Sequence, residues 1–363
     1  MADHKYAVQN TEGVRGTDID GNVVVLAKTH PEQLVLFQTF LSDEDDNGHG
    51  DEKYSNTIEL YDAVPKYFSN PRLMDKMRKD GKYLPMLERL FKHRGEMYTV
   101  KIWPARLEDR QGGEKHYYPG PREELVEEAL RKLACDHLNG VYLGDLAGVQ
   151  FTLYELTKEL KSRGHDIKYV SLIESLRICH RIDLSVYKGD GKIVLEAPIF
   201  PILLLGSKKD WLKAPKETRC YVQFHPLITQ CISALTYRQF DYGAYMTYKH
   251  RLSRWLHKRL SHTYTQAGFL SPYTIRMSTI MRDSGTYHAA DQHENMRRIN
   301  EALTELNDRQ VLLSITKDML RGPRNRIMDV KYTMLPTIDF IEEMKMANRR
   351  AKKLVLGLKE SKD

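Results

Sequence analysis

The sequence predicts an α+β chain of two tandem winged helix-turn-helix domains preceded by a flexible N-terminal tail. Three observations carry this. Residues 269–335 run strand, helix, turn, helix and β-hairpin, the order in which a second helix enters the DNA major groove. Residues 149–195 repeat that order. Residues 1–57 are polar and glycine-dotted, with acidic clusters at 43–46 and 51–52, as befits a tail. The expected division is a tail at 1–57, an N-terminal winged-helix domain at 58–222, a C-terminal one at 223–345 and a basic tail at 346–363.

Inside the N-terminal tail, Gln33, Leu34, Val35, Leu36 and Phe37 form an apolar island. A tail has no core to take it, so it suits a partner's groove, or a strand or short helix packing back on the body. Alternation predicts a strand over 98–102. A helix follows, with Pro121 near its start, Glu123 and Glu124 in its first turn and Asn139-Gly140 at its close. Leu125, Ala129, Leu130, Leu133 and Leu138 give it a buried face.

In the first repeat, 149–151 reads as a strand and Thr152 with Glu155 as a capping box. Gly164 turns the chain, Asp166 caps a second helix to about 179, and a hairpin tips at 188–192. That helix turns Lys168, Ser171, Glu174 and Ser175 outward, a nearly neutral set. With Lys188 and Lys192 on the hairpin, Lys168 and Ser171 suit backbone or dimer contacts.

In the second repeat, Met296, Ile299, Ala302, Leu303 and Leu306 gather on one helix face. His293, Arg297, Asn300 and Thr304 lie opposite, with Arg298 flanking. Arginine and asparagine forks make bidentate bonds to guanine and adenine, so His293, Arg297, Arg298 and Asn300 are the candidate base readers. The alternative is an ordinary solvated face. Arg321, Arg324 and Arg326 at a Gly-Pro hairpin tip, with Lys331 behind, are candidate phosphate contacts. The helix of 248–264 sets Arg251, Arg254 and Lys258 beside an apolar face, a stripe that either tracks phosphates or is merely solvated. His257 and His262 are phosphate-side or packing residues, and the run Lys345, Arg349, Arg350, Lys352 and Lys353 is a phosphate contact or a solubilising tail.

The chain has 363 residues, a formal charge of +7 and a pI near 9.0, a basic lean that favours phosphate-bearing partners. Cys135, Cys179, Cys220 and Cys231 form no CxxC pair, so reduced core thiols are expected, with no metal and no cofactor. No signal peptide or membrane-length apolar run occurs, which implies a cytoplasmic protein with no membrane partner. There is no GxxxxGK[ST] loop, no histidine pair flanking one apolar residue and no HxxR, which argues against a P-loop ATPase, a metal-dependent nicking enzyme and a tyrosine recombinase. No enzymatic activity is expected.

Taken together, TIELYDAVPKY at 57–67, YPGPREELV at 118–126, FTLYEL at 151–156, FHPLI at 224–228, LHKRLSH at 256–262 and the helix around Arg297 resemble the theta-type plasmid replication initiators, the iteron-binding Rep family, in its TrfA-like branch. The resemblance spans about 57–347. It implies that the second winged helix reads repeated origin sites in double-stranded DNA, while the first touches adjacent DNA or mediates dimerisation. Binding would open AT-rich DNA and load the host replicative helicase with the help of DnaA. A monomer–dimer equilibrium would govern copy number. TrfA-like proteins also carry a peptide that docks on the host β sliding clamp. Gln33, Leu34, Leu36 and Phe37 match it, while Val35 departs. A tandem winged-helix transcriptional regulator would share the DNA contacts but need no clamp peptide.

Overall fold

The computed structural model describes residues 15–17, 23–25, 54–68, 71–108, 112–135, 139–143, 146–207, 210, 213–214, 216–233, 237–286 and 292–360. The apolar peptide at 33–37 lies outside them. The chain begins with the antiparallel pair β1 (Arg15–Thr17) and β2 (Val23–Val25). Next come β3 (Tyr54–Ile58), α1 (Glu59–Ala63), α2 (Pro71–Met77), β4 (Leu87–His93), β5 (Glu96–Trp103), β6 (Ala105–Glu108) and β7 (Glu114–Tyr117). Then follow α3 (Pro121–Cys135), β8 (Gly140–Leu143), β9 (Leu146–Thr152), α4 (Leu153–Ser162), α5 (Tyr169–Arg181), β10 (Asp183–Lys188) and β11 (Ile193–Ala197). β12 (Leu203–Leu204), β13 (Arg219–Gln223), α6 (Pro226–Ser233), β14 (Tyr237–Asp241) and α7 (Tyr242–Thr247) complete the first half. The second comprises α8 (Arg251–Thr263), β15 (Tyr273–Arg276), α9 (Met277–Ser284), α10 (Gln292–Asp308), β16 (Leu312–Arg321), β17 (Ile327–Pro336) and α11 (Ile338–Glu360). The result is a mixed α and β architecture with antiparallel sheets. Among the described residues no helix is long and apolar enough to cross a membrane.

Local rules explain most boundaries. Thr152 accepts from the Glu155 amide at 3.1 Å and Glu155 reaches back to the Thr152 amide at 2.7 Å, a complete capping box. Helix α5 is capped at Lys168, two residues after the expected Asp166. Helix α9 ends on Gly285, whose φ of 63° suits glycine. A Cβ there would lie 2.7 Å from Pro65 Cβ, so the same position also demands close approach to the first half.

Parts of both expected tails belong to regular elements. Residues 54–57 belong to β3, which pairs with β14 and buries Ser55, Asn56 and Thr57. Their polar side chains hide the strand from a hydrophobicity pattern. At the other end, 346–360 continue α11, where Ala347 is buried and Asn348 accepts from Arg238 at 2.8 Å. The domain boundary also moves. One buried cluster extends from Ile58 to Met246 and the other from Tyr248 to Met344. Residues 224–233 and 237–246, expected in the second unit, therefore pack with the first, because Phe224, Leu227, Ile228 and Phe240 insert into its core.

The two clusters meet along α3 and α8. Apolar residues Val126, Ala129 and Leu130 of α3 enter the first core, and Leu256 and Leu260 of α8 enter the second. What remains of each helix is charged, and it too is buried. Arg254 donates to Glu124 through Nε at 3.0 Å and Nη2 at 2.9 Å, and its Nη1 donates to the Tyr248 carbonyl at 2.8 Å. Lys258 sits between Glu128 and Asp62, the latter at 3.2 Å. Arg131 joins Asp62 at 2.8 Å and Glu128 at 3.0 Å, and Arg251 donates to the Ser284 carbonyl at 2.9 Å. Burial raises the Glu128 carboxyl pKa, opposed by Arg131 and Lys258.

Arg254→Met should cost about 3–5 kcal/mol because buried Glu124 keeps only the 3.8 Å ion pair with Arg251, whereas Arg254→Met with Glu124→Leu should recover most of the loss. Urea titration of the three proteins measures this; equal losses for the single and double variants would contradict it. Burial also pushes His225 down to about 3 and His257 down to about 4. Both stay neutral in the fold while the unfolded chain gains protons, so stability is present above pH ~6.5 and declines as pH falls towards ~4. Urea midpoints at pH 7.5 and pH 5 should show the drop, and His257→Gln should reduce it.

Candidate nucleic-acid interface

The second half supplies the best-formed polar surface. Ile299, Ala302, Leu303 and Leu306 of α10 are buried against α8 and the β15–β17–β16 sheet, with each large aliphatic side chain contributing about 1.5–3 kcal/mol. His293, Arg297 and Thr304 are exposed, and Arg298 and Asn300 are half-buried. Helical periodicity thus separates the two faces. It did not reveal that Arg297 is held by carboxylates of its own helix. Arg297 Nε donates to Glu294 at 2.8 Å, and another guanidinium nitrogen donates to Glu301. Arg298 also reaches Glu294 at 2.8 Å. Hydrogen bonds from Arg297, then Arg298, hold the Glu294 carboxyl well below the usual carboxylate range. Such exposed i,i+3 and i,i+4 pairs are weak, so they orient Arg297 without preventing it from exchanging partners.

The hairpin β16–β17 is the second feature. Strand β15 pairs with β17 only from Met334 to Lys331, while β16 continues to pair down to Arg321 opposite Ile327. From Thr316 to Arg321 every residue of β16 is exposed, whereas Val330 and Tyr332 of the facing strand are buried in the second core, so the ribbon rests on the body through β17 and turns β16 and the tip to solvent. Arg324 and Asn325, with φ of 53° and 58°, turn the tip. Arg321, Arg324 and Arg326 are exposed there, and among the described residues none of the three is ion-paired. Lys331 is exposed at the root, opposite Arg276 and Asp318. Asp329 fixes the ribbon to α9 by accepting from the Ser278 amide at 3.1 Å and hydroxyl at 2.7 Å.

The phosphate assignment for Arg251, Arg254 and Lys258 is overturned. All three lie in the buried seam with α3 and are unavailable to a ligand. Spacing could have revealed this: Glu124 and Glu128 on α3 are four residues apart, as are Arg254 and Lys258 on α8. His257 is likewise a packing residue, its Nδ1 3.1 Å from the Tyr248 hydroxyl, and His262 lies 2.9 Å from Thr57 Oγ1.

The first half is less open. Lys168 and Lys192 are exposed and Ser171 is half-buried. Ser175, expected outward, is fully buried and donates to Glu123 at 2.8 Å. Glu174 pairs with Arg122 at 2.7 Å and Lys188 with Glu96 at 2.8 Å. The outward row of α5 is instead Val170, Arg177 and Arg181, at a seven-and-four helical spacing.

These features define a two-unit α+β protein whose second unit presents a polar helix face and a ribbon with a basic tip. Neither a protein-family profile nor a curated protein matches the chain. Among solved structures it is similar to a selenomethionine crystal form of RctB domains 2 and 3 (10% identity, TM-score 0.45, covering 75% of this chain and 95% of that one). A second structure of RctB domains 2–3 gives 10% identity and a TM-score of 0.43, covering 79% and 99%. The Pi initiator protein in complex with iteron DNA gives 12% identity and a TM-score of 0.40, covering 66% and 98%.

Asp329→Ala should release the tip end of the ribbon from α9, costing roughly 1 kcal/mol. Hydrogen exchange at the Ser278 amide should accelerate while amides in α3 remain unchanged; protection at Ser278 equal to wild type would refute the anchoring role.

Proposed function

We propose that the chain is a non-enzymatic replication initiator that binds repeated sites in duplex DNA through its second unit. The observation that carries this is the ribbon: three arginines without acidic partners at the tip of a hairpin that follows the α8–β15–α9–α10 body, in the order of a winged helix-turn-helix. The arginines are suited to backbone phosphates, whereas α10 is suited to a groove, where Arg297 can exchange Glu294 and Glu301 for a guanine edge. Those carboxylates also repel phosphates, so a wrong sequence gains little from α10. The first unit contributes the α3 platform and, through Lys168, Arg177 and Arg181, an auxiliary backbone contact. The peptide at 33–37 is assigned to the sliding clamp on its sequence match alone. Opening of AT-rich DNA, helicase loading with DnaA and a copy-controlling monomer–dimer equilibrium follow from the same family resemblance.

Selection from random duplexes should return a defined site, and a plasmid carrying only this gene and its upstream repeats should replicate. Failure to replicate with site selection intact would favour a transcriptional regulator. Arg324→Ala should weaken binding to every duplex and lower the slope of log affinity against log salt by about 0.9. Arg297→Ala should instead cost about 1–3 kcal/mol on the selected site and relax preference at one base pair. Uniform losses from both variants would refute the division between helix and ribbon.

A further inference from the structure

The ribbon tip carries more than charge. Met319 and Met328 are 47% and 59% exposed, and Leu320 between Met319 and the arginines is 38% exposed. Large apolar side chains left in solvent at the hairpin tip, while the neighbouring Val330 is buried, are unfavourable unless a partner covers them. The backbone brings Met328 out deliberately. The pairing passes from Leu320 opposite Asp329 to Arg321 opposite Ile327, leaving Met328 as the extra residue of a β-bulge. Its side chain crosses Gly322, where an added Cβ would sit 2.7 Å from Met328 Cγ. Met319 Sδ lies 3.3 Å from Arg321 Nη2, so both methionines are set among the tip arginines. An apolar protein surface would be a poor match for that ring of unpaired positive charge. A DNA minor groove matches both parts: phosphate rims attract the arginines, and a base step offers an apolar interior to an unbranched, adaptable side chain.

We propose that Met328, supported by Met319, is a wedge that enters the minor groove beside the bound site, partly unstacks one base step and bends the duplex. The proposal rests on the duplex-binding function above and adds to it a local source of the strain that precedes opening. Side-chain wedges of this kind kink DNA by about 20–90° towards the major groove. Flexible pyrimidine–purine steps, which are the easiest to unstack, are the expected targets.

The test uses the full chain and a duplex carrying the selected site, with 2-aminopurine placed at successive flanking positions and a dye at each end. Wild-type protein should raise 2-aminopurine fluorescence several-fold at one or two adjacent positions and shorten the end-to-end distance. Met319→Ser with Met328→Ser should bind the same duplex with an unchanged salt slope but lose both signals. Arg324→Ala with Arg326→Ala should weaken binding, yet retain both signals at saturation. If the serine variant keeps the fluorescence rise and the bend, the wedge is overturned while duplex binding stands. If wild type binds without either signal, the wedge is overturned in the same way. If neither protein binds any duplex, the wedge falls together with the proposed function. If the serine changes alter only self-association in sedimentation, the tip is a contact between copies and the wedge is overturned.

Discussion

The whole arrangement depends on the charged seam between α3 and α8. Burying Arg254, Lys258 and Arg131 with Glu124, Glu128 and Asp62 carries a desolvation cost of several kcal/mol per ion. That cost is offset only if the groups meet in one geometry. Arg254 grips Glu124 with two nitrogens and a backbone carbonyl with the third, while Asp62 also accepts from the Thr57 hydroxyl and the Ile58 amide, both at 2.6 Å. A small displacement of either helix would leave several charges unsolvated together. An apolar seam could slide; this one is restricted to a single register. Gly285 against Pro65 and the Lys92 amide donating to Asp283 at 3.0 Å add further points of fixation.

One consequence concerns where positive charge remains available. The formal charge of +7 overstates nothing in total but misleads about location. The basic residues of α8 are neutralised inside, and Arg297 and Arg298 share carboxylates on their own helix. Three guanidinium groups without an ion pair among the described residues, those of Arg321, Arg324 and Arg326, gather at the ribbon tip. Attraction to phosphate and discrimination between bases are thus assigned to different elements. The tip can hold any duplex, whereas α10 gains energy only where a base edge replaces its internal carboxylates.

What could be read from the sequence was what local rules govern. The Thr152 capping box, the apolar stripe from Ile299 to Leu306 and the Gly-Pro hairpin tip each depend on neighbours within a few residues. The failures share a different cause. Whether Arg254 faces water is decided by Glu124, 130 residues away, and a basic stripe looks the same whether it is solvated or matched by an acidic partner. Strand β3 escaped because Ser55, Asn56 and Thr57 are buried polar residues, whose burial depends on pairing with β14. In the first repeat, Ser175 faces inward because its hydroxyl meets Glu123 of α3, 52 residues away, a partner that the helix's own sequence does not show.

The same comparison explains why the two repeats cannot act alike. In the first, β10 of the hairpin pairs with β5 along its whole length, from Asp183 to Lys188, and Lys188 is tied to Glu96 at the far end. That hairpin is one side of a four-stranded sheet. In the second, β15 supports β17 for only four rungs, and everything beyond Lys331 pairs within the ribbon itself. The first hairpin is thus covered on the β10 side by β5, whereas in the second repeat β16 is an exposed edge strand held through β17 and, near the tip, by Asp329 on α9. The first repeat is therefore built as a platform, and the seam transmits its rigidity to α8. Against that fixed base, the second repeat presents the exposed edge of β16 and the three arginines of the hairpin tip.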